Sequence, residues 1–125
     1  MKISRLKISS NFFLAPMSGI SDFPYREVVK EFKPGLVFSE MIASRALIEK
    51  NKKTLKMIKK DSNEISAIQI AGCDPDIMAE AAIICEGNGS DLVDINMGCP
   101  VKKVVNGYAG SALMKNESLA LKIIE

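Results

Sequence analysis

Histidine and tryptophan are missing from this 125-residue chain, and aromatic residues make up only 6% of it. Without histidine there is no imidazole base, no imidazole metal ligand and no Ser-His-Asp triad. Cysteine is scarce as well. Cys73, Cys85 and Cys99 are odd in number and form no Cys-x-x-Cys pair. A disulfide framework or a zinc site is therefore not expected, and reduced thiols in a cytoplasmic protein are. No hydrophobic run approaches the ~20 residues of a membrane span. Residues 1–10 alternate basic with single apolar side chains and lack the apolar core of a signal peptide. Neither sign of charge dominates: 17 Lys and Arg against 15 Asp and Glu leave +2, which excludes a strongly basic tail-type binder.

What remains is 47% apolar, enough for the core of one modest domain. Residues 11–17, 36–39, 65–71 and 91–96 read as strands, short apolar runs bounded by turn residues. Between them lie helical patterns. Ser21 or Asp22 caps the first, with Pro24 in its first turn and Phe23, Val28, Val29 and Phe32 as an apolar stripe. Residues 43–60 read as mostly helical with a break near Asn51. Asp74 and Pro75 open a third helix with Ile77, Met78, Ala81, Ile84 and Cys85 on its apolar face. After residue 96 a long polar and Gly-containing loop is expected, and Ser118 begins a last helix. Strand starts near 11, 36, 65 and 91 predict successive βαβ units and a parallel sheet. The spacing suits a (β/α)8 barrel, at about 31 residues per unit, and an open doubly wound sheet equally.

Parallel α/β folds put their sites at the carboxyl ends of strands. Those ends carry Ala15-Pro16-Met17-Ser18-Gly19, Ser39-Glu40-Met41, Gln69-Ile70-Ala71-Gly72 and Asp94-Ile95-Asn96-Met97-Gly98-Cys99-Pro100. Gln69 within an Ile-rich strand and Asn96 after Ile95 are out of place as packing residues, so their amides are expected to be in use. Cys99, between Gly98 and Pro100, sits in a stiff turn able to present a thiol. Ordinary thiols titrate at roughly 8.5 and stay mostly protonated at neutral pH, so one in a pocket can deliver a proton. A small buried core cysteine is the competing reading on spacing alone. Cys85 reads as core, and Cys73 as a loop residue.

Five blocks together resemble one family. Leu14-Ala15-Pro16-Met17-Ser18-Gly19-Ile20-Ser21-Asp22, Ser39-Glu40-Met41, Ile68-Gln69-Ile70-Ala71-Gly72, Asp94-Ile95-Asn96-Met97-Gly98-Cys99-Pro100, and Val101-Lys102-Lys103 followed by Ala109-Gly110-Ser111-Ala112-Leu113 are similar to the tRNA-dihydrouridine synthases, nearest the bacterial B-type members. The resemblance implies an FMN-dependent, NADPH-using enzyme that reduces uridine in tRNA, built on a TIM barrel with a helical tRNA-binding domain. It implies Cys99 as the acid that protonates C5 of uracil. Pro16, Met17 and Ser18 would contact the flavin, chiefly through backbone, Gln69 would bond its polar edge, and Asn96 would lie beside flavin and uracil. The uridine must leave its stack to reach the flavin.

For RNA itself the candidates are Arg26, Glu40, Lys102, Lys103 and Tyr108, the lysines on phosphates and Tyr108 stacking on a base. A structural ion pair competes for Arg26 and Glu40. The basic run Lys50, Lys52, Lys53, Lys56, Lys59 and Lys60 reads more readily as a solvated helix face than as a phosphate contact. Residues 107–110 lack the glycine spacing of a dinucleotide fingerprint.

The expected fold is thus the N-terminal half of a TIM (β/α)8 barrel, about four βα units over residues 1–125. The C-terminal barrel half, its phosphate-binding loops and the helical domain are expected to be absent, and FMN to be held weakly or not at all. Open edges at residues 11–17 and 91–96 would permit self-association. The alternatives are a non-catalytic fragment that only self-associates, and an FMN barrel of the dihydroorotate dehydrogenase type acting on a free pyrimidine.

Overall fold

Helix starts follow the local chemistry closely. Asp22 caps α1 (Phe23–Lys30) by accepting the Tyr25 N–H, with a proline in the first turn. Asp74 caps α4 (Pro75–Gly87) by accepting the N–H groups of Asp76 and Ile77, and Pro75 stands where no N–H is needed. The computed structural model describes residues 1–58, 60 and 65–125. Their elements begin with a hairpin, β1 (Lys2–Ile3) and β2 (Leu6–Lys7), antiparallel and not anticipated from sequence. Then follow β3 (Phe13–Leu14), α1, β4 (Leu36–Val37), β5 (Ile42–Ala43), α2 (Ser44–Ile48), α3 (Lys52–Met57), β6 (Ala67–Ala71), α4 and β7 (Leu92–Ile95). The chain ends in α5 (Lys102–Val105), a 3-10 segment (Gly110–Lys115) and α6 (Glu117–Ile124).

The parallel sheet is confirmed. β3 pairs with β4, β5 with β6, and β6 with β7, all parallel. Phe38 bridges to Ala67, so β4 and β5 are two stretches of one bent strand. Strand neighbours therefore follow chain order without reversal. Among the described residues β3 and β7 each keep one edge unpaired.

Alternation divides the sheet into two faces. Ile68 and Ile70 of β6 join Ile42, Leu47, Ile58, Met78, Ala81 and Cys85 in the core between sheet and helices, with Val93 and Ile95 packed against it. The intervening Gln69 and Asp94 are register partners and occupy the opposite face, away from the helix layer.

Several sequence expectations need correction. The strand expected over 11–17 is confined to Phe13–Leu14, because the residues after it turn back on themselves at Met17. Residues 43–60 are not one helix: Ala43 belongs to β5, and Asn51 caps α3 through its side chain. The break at Asn51 is as expected, and Lys59 lies outside the described residues. The loop after residue 96 contains α5 and the 3-10 segment, and the last helix is capped by Asn116 rather than begun at Ser118. The apolar stripe of α1 is not core. Val28 is 57% exposed, and Phe32, beyond the helix end, is 81% exposed.

At the amino end of the sheet, Gly35 permits a close approach. A Cβ there would stand 2.0 Å from the Ser10 carbonyl oxygen. Nearby, Asp91 Oδ2 accepts from Lys60 Nζ at 2.7 Å and from the Ser66 N–H at 2.9 Å, tying β6 to β7. Desolvation pushes the Asp91 carboxyl up, but the hydrogen bonds from Lys60 and Ser66 and the charges of Lys60 and Arg5 outweigh it and hold the carboxyl below 3.8. A pKa depressed by folding gives stability that is present above the unfolded value and lost as pH falls through the folded one. Asp91→Asn is thus expected to cost under about 1 kcal/mol at pH 7, the pair being about 30% exposed and screened, and less at pH 2. Urea midpoints of both chains at the two pH values check this, and an equal gap at both would refute it.

Candidate active site

A hydrogen-bonded chain of side chains crosses the polar face of the sheet. Gln69 Nε2 donates to Asp94 Oδ2 at 2.6 Å, and Asn96 Nδ2 donates to Gln69 Oε1 at 3.0 Å. Asn96 Oδ1 then accepts the backbone N–H of Cys99 at 3.0 Å. An ionised carboxylate can only accept, so Asp94 forces the NH2 end of Gln69 toward itself. The Gln69 carbonyl then faces the Asn96 amino group, which leaves the Asn96 carbonyl for Cys99. Direction passes from a buried strand to the turn that carries the thiol. Each amide nitrogen keeps a second N–H beyond these bonds. Behind Gln69, Ser39 Oγ accepts the Gln69 backbone N–H at 3.1 Å and donates to the Glu40 carbonyl at 2.9 Å.

The Cys99 turn is clamped from its far side too. The Ser111 N–H donates to the Cys99 carbonyl at 3.0 Å. Gly110 passes so close that a Cβ on it would stand 2.6 Å from that oxygen, and its φ of +61° favours glycine in any case. Beyond Gly98 lies open space, since a Cβ there would meet nothing within 4 Å.

The loop after β3 is built around Ser21, which is fully buried. Its Oγ accepts the Met17 N–H at 2.8 Å and donates to the Met17 carbonyl at 3.1 Å. The Ser21 and Ile20 N–H groups donate to that carbonyl as well. Glu40 accepts the Gly19 N–H, and Arg26 Nη1 donates to the Ser21 carbonyl at 2.8 Å. Both therefore brace this loop through hydrogen bonds to its backbone. Pro16 and Met17 are half-buried and Ser18 is exposed. Lys102 and Lys103 lie exposed on α5, and Tyr108, with φ +58°, is exposed in the turn after it.

Sequence reasoning brought Gln69, Asn96 and Cys99 to one place, and the structure joins them by hydrogen bonds. It placed Asp94 and Ser39 at strand ends but gave neither a role. Asp94 carried a readable signal, a lone carboxylate in an apolar strand two residues before Asn96 and so on the same face. Ser39 left none, because its partner is a backbone N–H 30 residues away.

The sequence model of the family "Dihydrouridine synthase" matches residues 13–125. The chain belongs to the dihydrouridine synthase family. All of it aligns at 52% identity with a probable tRNA-dihydrouridine synthase of Rickettsia conorii, covering 38% of that protein. A probable tRNA-dihydrouridine synthase of Rhizobium leguminosarum is 44% identical over 96% of the chain, again 38% of the relative. Against tRNA-dihydrouridine synthase B of Pasteurella multocida identity is 42% over 99% of the chain. The chain thus spans about 38% of the length of these relatives.

In this chain the three thiols differ sharply. Cys85 is fully buried in the core, and burial pushes its thiol up to about 11. Cys73 and Cys99 are half-buried. A chromogenic disulfide is expected to modify Cys73 and Cys99 in the native chain and Cys85 only after unfolding. Three thiols reacting at one rate would contradict this packing. Among the described residues no cluster of His, Cys, Asp or Glu could hold a metal ion, and no helix is long and apolar enough to cross a membrane.

Proposed function

We propose that this chain forms the N-terminal half of a (β/α)8 barrel whose carboxyl edge is part of a flavin site reducing uridine in tRNA to 5,6-dihydrouridine. The strand order supports the barrel. Neighbours run in chain order, whereas an open doubly wound sheet reverses. The observation that carries the chemistry is the relay from Asp94 through Gln69 and Asn96 to Cys99.

The residues fit FMN. A planar ring with acceptor atoms on its edge suits the spare N–H groups of Gln69 and Asn96, and the space beyond Gly98 is open. Of the residues after β3, Pro16 has no N–H, and Met17 has both backbone groups committed within its own loop. Those two contribute apolar contact, and Ser18 is the polar partner. When bound, FMN, recharged by NADPH, supplies hydride to C6 of the uracil ring. Cys99 supplies the proton at C5, held at its place by the bonds to its N–H and carbonyl. Asn96 orients the ring beside it. Lys102 and Lys103 contact phosphates, Tyr108 stacks on a base, and Arg26 and Glu40 shape the rim that receives the flipped uridine.

A chimaera tests this reading. Residues 1–125 replace the matching segment of the Rickettsia conorii relative in a bacterial strain lacking dihydrouridine synthases. Dihydrouridine is expected in its tRNA, and the purified chimaera is expected to carry flavin absorbance. A folded, flavin-free chimaera that leaves tRNA unmodified would overturn the proposal.

A further inference from the structure

We propose that a cavity of about 220 Å³ beside this edge, rimmed by Lys53 and Lys56, seats one backbone phosphate of the RNA strand whose uridine enters the site. The inference rests on the RNA reading above and adds a contact to it. Lys53 and Lys56 are three residues apart on α3, so they emerge on one side of the helix. Neither makes a side-chain hydrogen bond or an ion pair among the described residues, whereas Lys30 is held by Glu27 and Lys60 by Asp91. Arg26 lines the same cavity, as do two carboxylates, each of which gives one oxygen to a backbone N–H. Asp22 caps α1 through the Tyr25 N–H, and Glu40 accepts from Gly19. Three cations thus line a cavity with two carboxylates, and the charge balance there is positive.

Size and chemistry then choose the occupant. The cavity falls below the ~300 Å³ at which pockets for whole small molecules begin, yet it holds a phosphate group with room to spare. A phosphodiester only accepts hydrogen bonds and an ammonium only donates them. Position agrees. Glu40 lines the cavity and also braces Gly19, in the loop that carries Met17 and Ser18. A phosphate seated there fixes the strand's register without reading its sequence, which is how backbone contacts position a nucleic acid.

The test uses the purified chimaera described above and an unmodified tRNA transcript, with binding followed over a series of KCl concentrations. The double variant Lys53→Ala/Lys56→Ala is expected to bind at least tenfold more weakly at low salt. Its slope of log affinity against log salt is expected to be shallower by about 1, the loss of one phosphate contact. Lys2→Ala/Lys7→Ala, which removes the same charge from the N-terminal hairpin, is expected to stay within twofold of the parent. FMN binding, read by quenching of flavin fluorescence, is expected to be equal in parent and Lys53/Lys56 variant. Equal losses from both lysine pairs would reduce the site to a diffuse field and overturn the proposal. Loss of FMN binding would overturn it in favour of the cofactor's phosphate. If the parent binds the transcript and the Lys53/Lys56 variant matches it, this proposal alone falls. If the parent binds no RNA, the RNA reading falls with it.

Discussion

Cys99→Ala in the chimaera is expected to lower dihydrouridine formation about 10²–10⁴-fold, the range in which a positioned general acid contributes. Flavin absorbance is expected to stay at the parent level, because the groups assigned to the flavin belong to Gln69, Asn96 and the loop after β3. The split between lost turnover and retained cofactor is the informative part. The structure holds the Cys99 backbone from both sides, at its N–H by Asn96 and at its carbonyl by Ser111. Removing the sulfur alone leaves that frame intact. Dihydrouridine content unchanged from the parent at matched expression would remove the thiol from the reaction.

Gly110→Ala is expected to disturb the same turn through the backbone. At φ +61° a side chain costs roughly 1–2 kcal/mol by strain alone. The added methyl would also stand 2.6 Å from the Cys99 carbonyl oxygen, so that oxygen must move and its bond to the Ser111 N–H weakens. A total loss of about 2–3 kcal/mol is expected from urea unfolding. A changed rate of Cys99 modification by a chromogenic disulfide should accompany it, with Cys73 unaffected. An unaltered midpoint and unaltered Cys99 reactivity together would show that the turn does not depend on this close approach.

Much of the framework was legible because it is encoded locally. The caps at Asp22 and Asp74, the prolines behind them and the four strand regions each follow from neighbours within a few residues. Cys85 could be assigned to the core from its helical spacing. Other features were not legible. The exposed stripe of α1 has the same periodicity as a buried one, and only the absence of a covering element among the described residues separates them. The N-terminal hairpin has strands of two residues each, too short for any periodicity to register. The bend that splits one strand into β4 and β5 depends on pairing with two different neighbours.

The site shows the same division. Sequence by itself singled out Gln69, Asn96 and Cys99, since amides and a thiol at strand ends are chemically conspicuous. It also carried the five blocks that mark the family. Only the tertiary structure decided how those groups are used: that Asp94 orients both amides, that Met17 spends its backbone within its own loop, and that Glu40 and Arg26 both brace the loop after β3. The reason is physical. Residue type states which bonds a group is able to make, but the partner that takes each bond lies 25 or 27 residues away in the chain, or 21, and is brought within reach only when the sheet has formed.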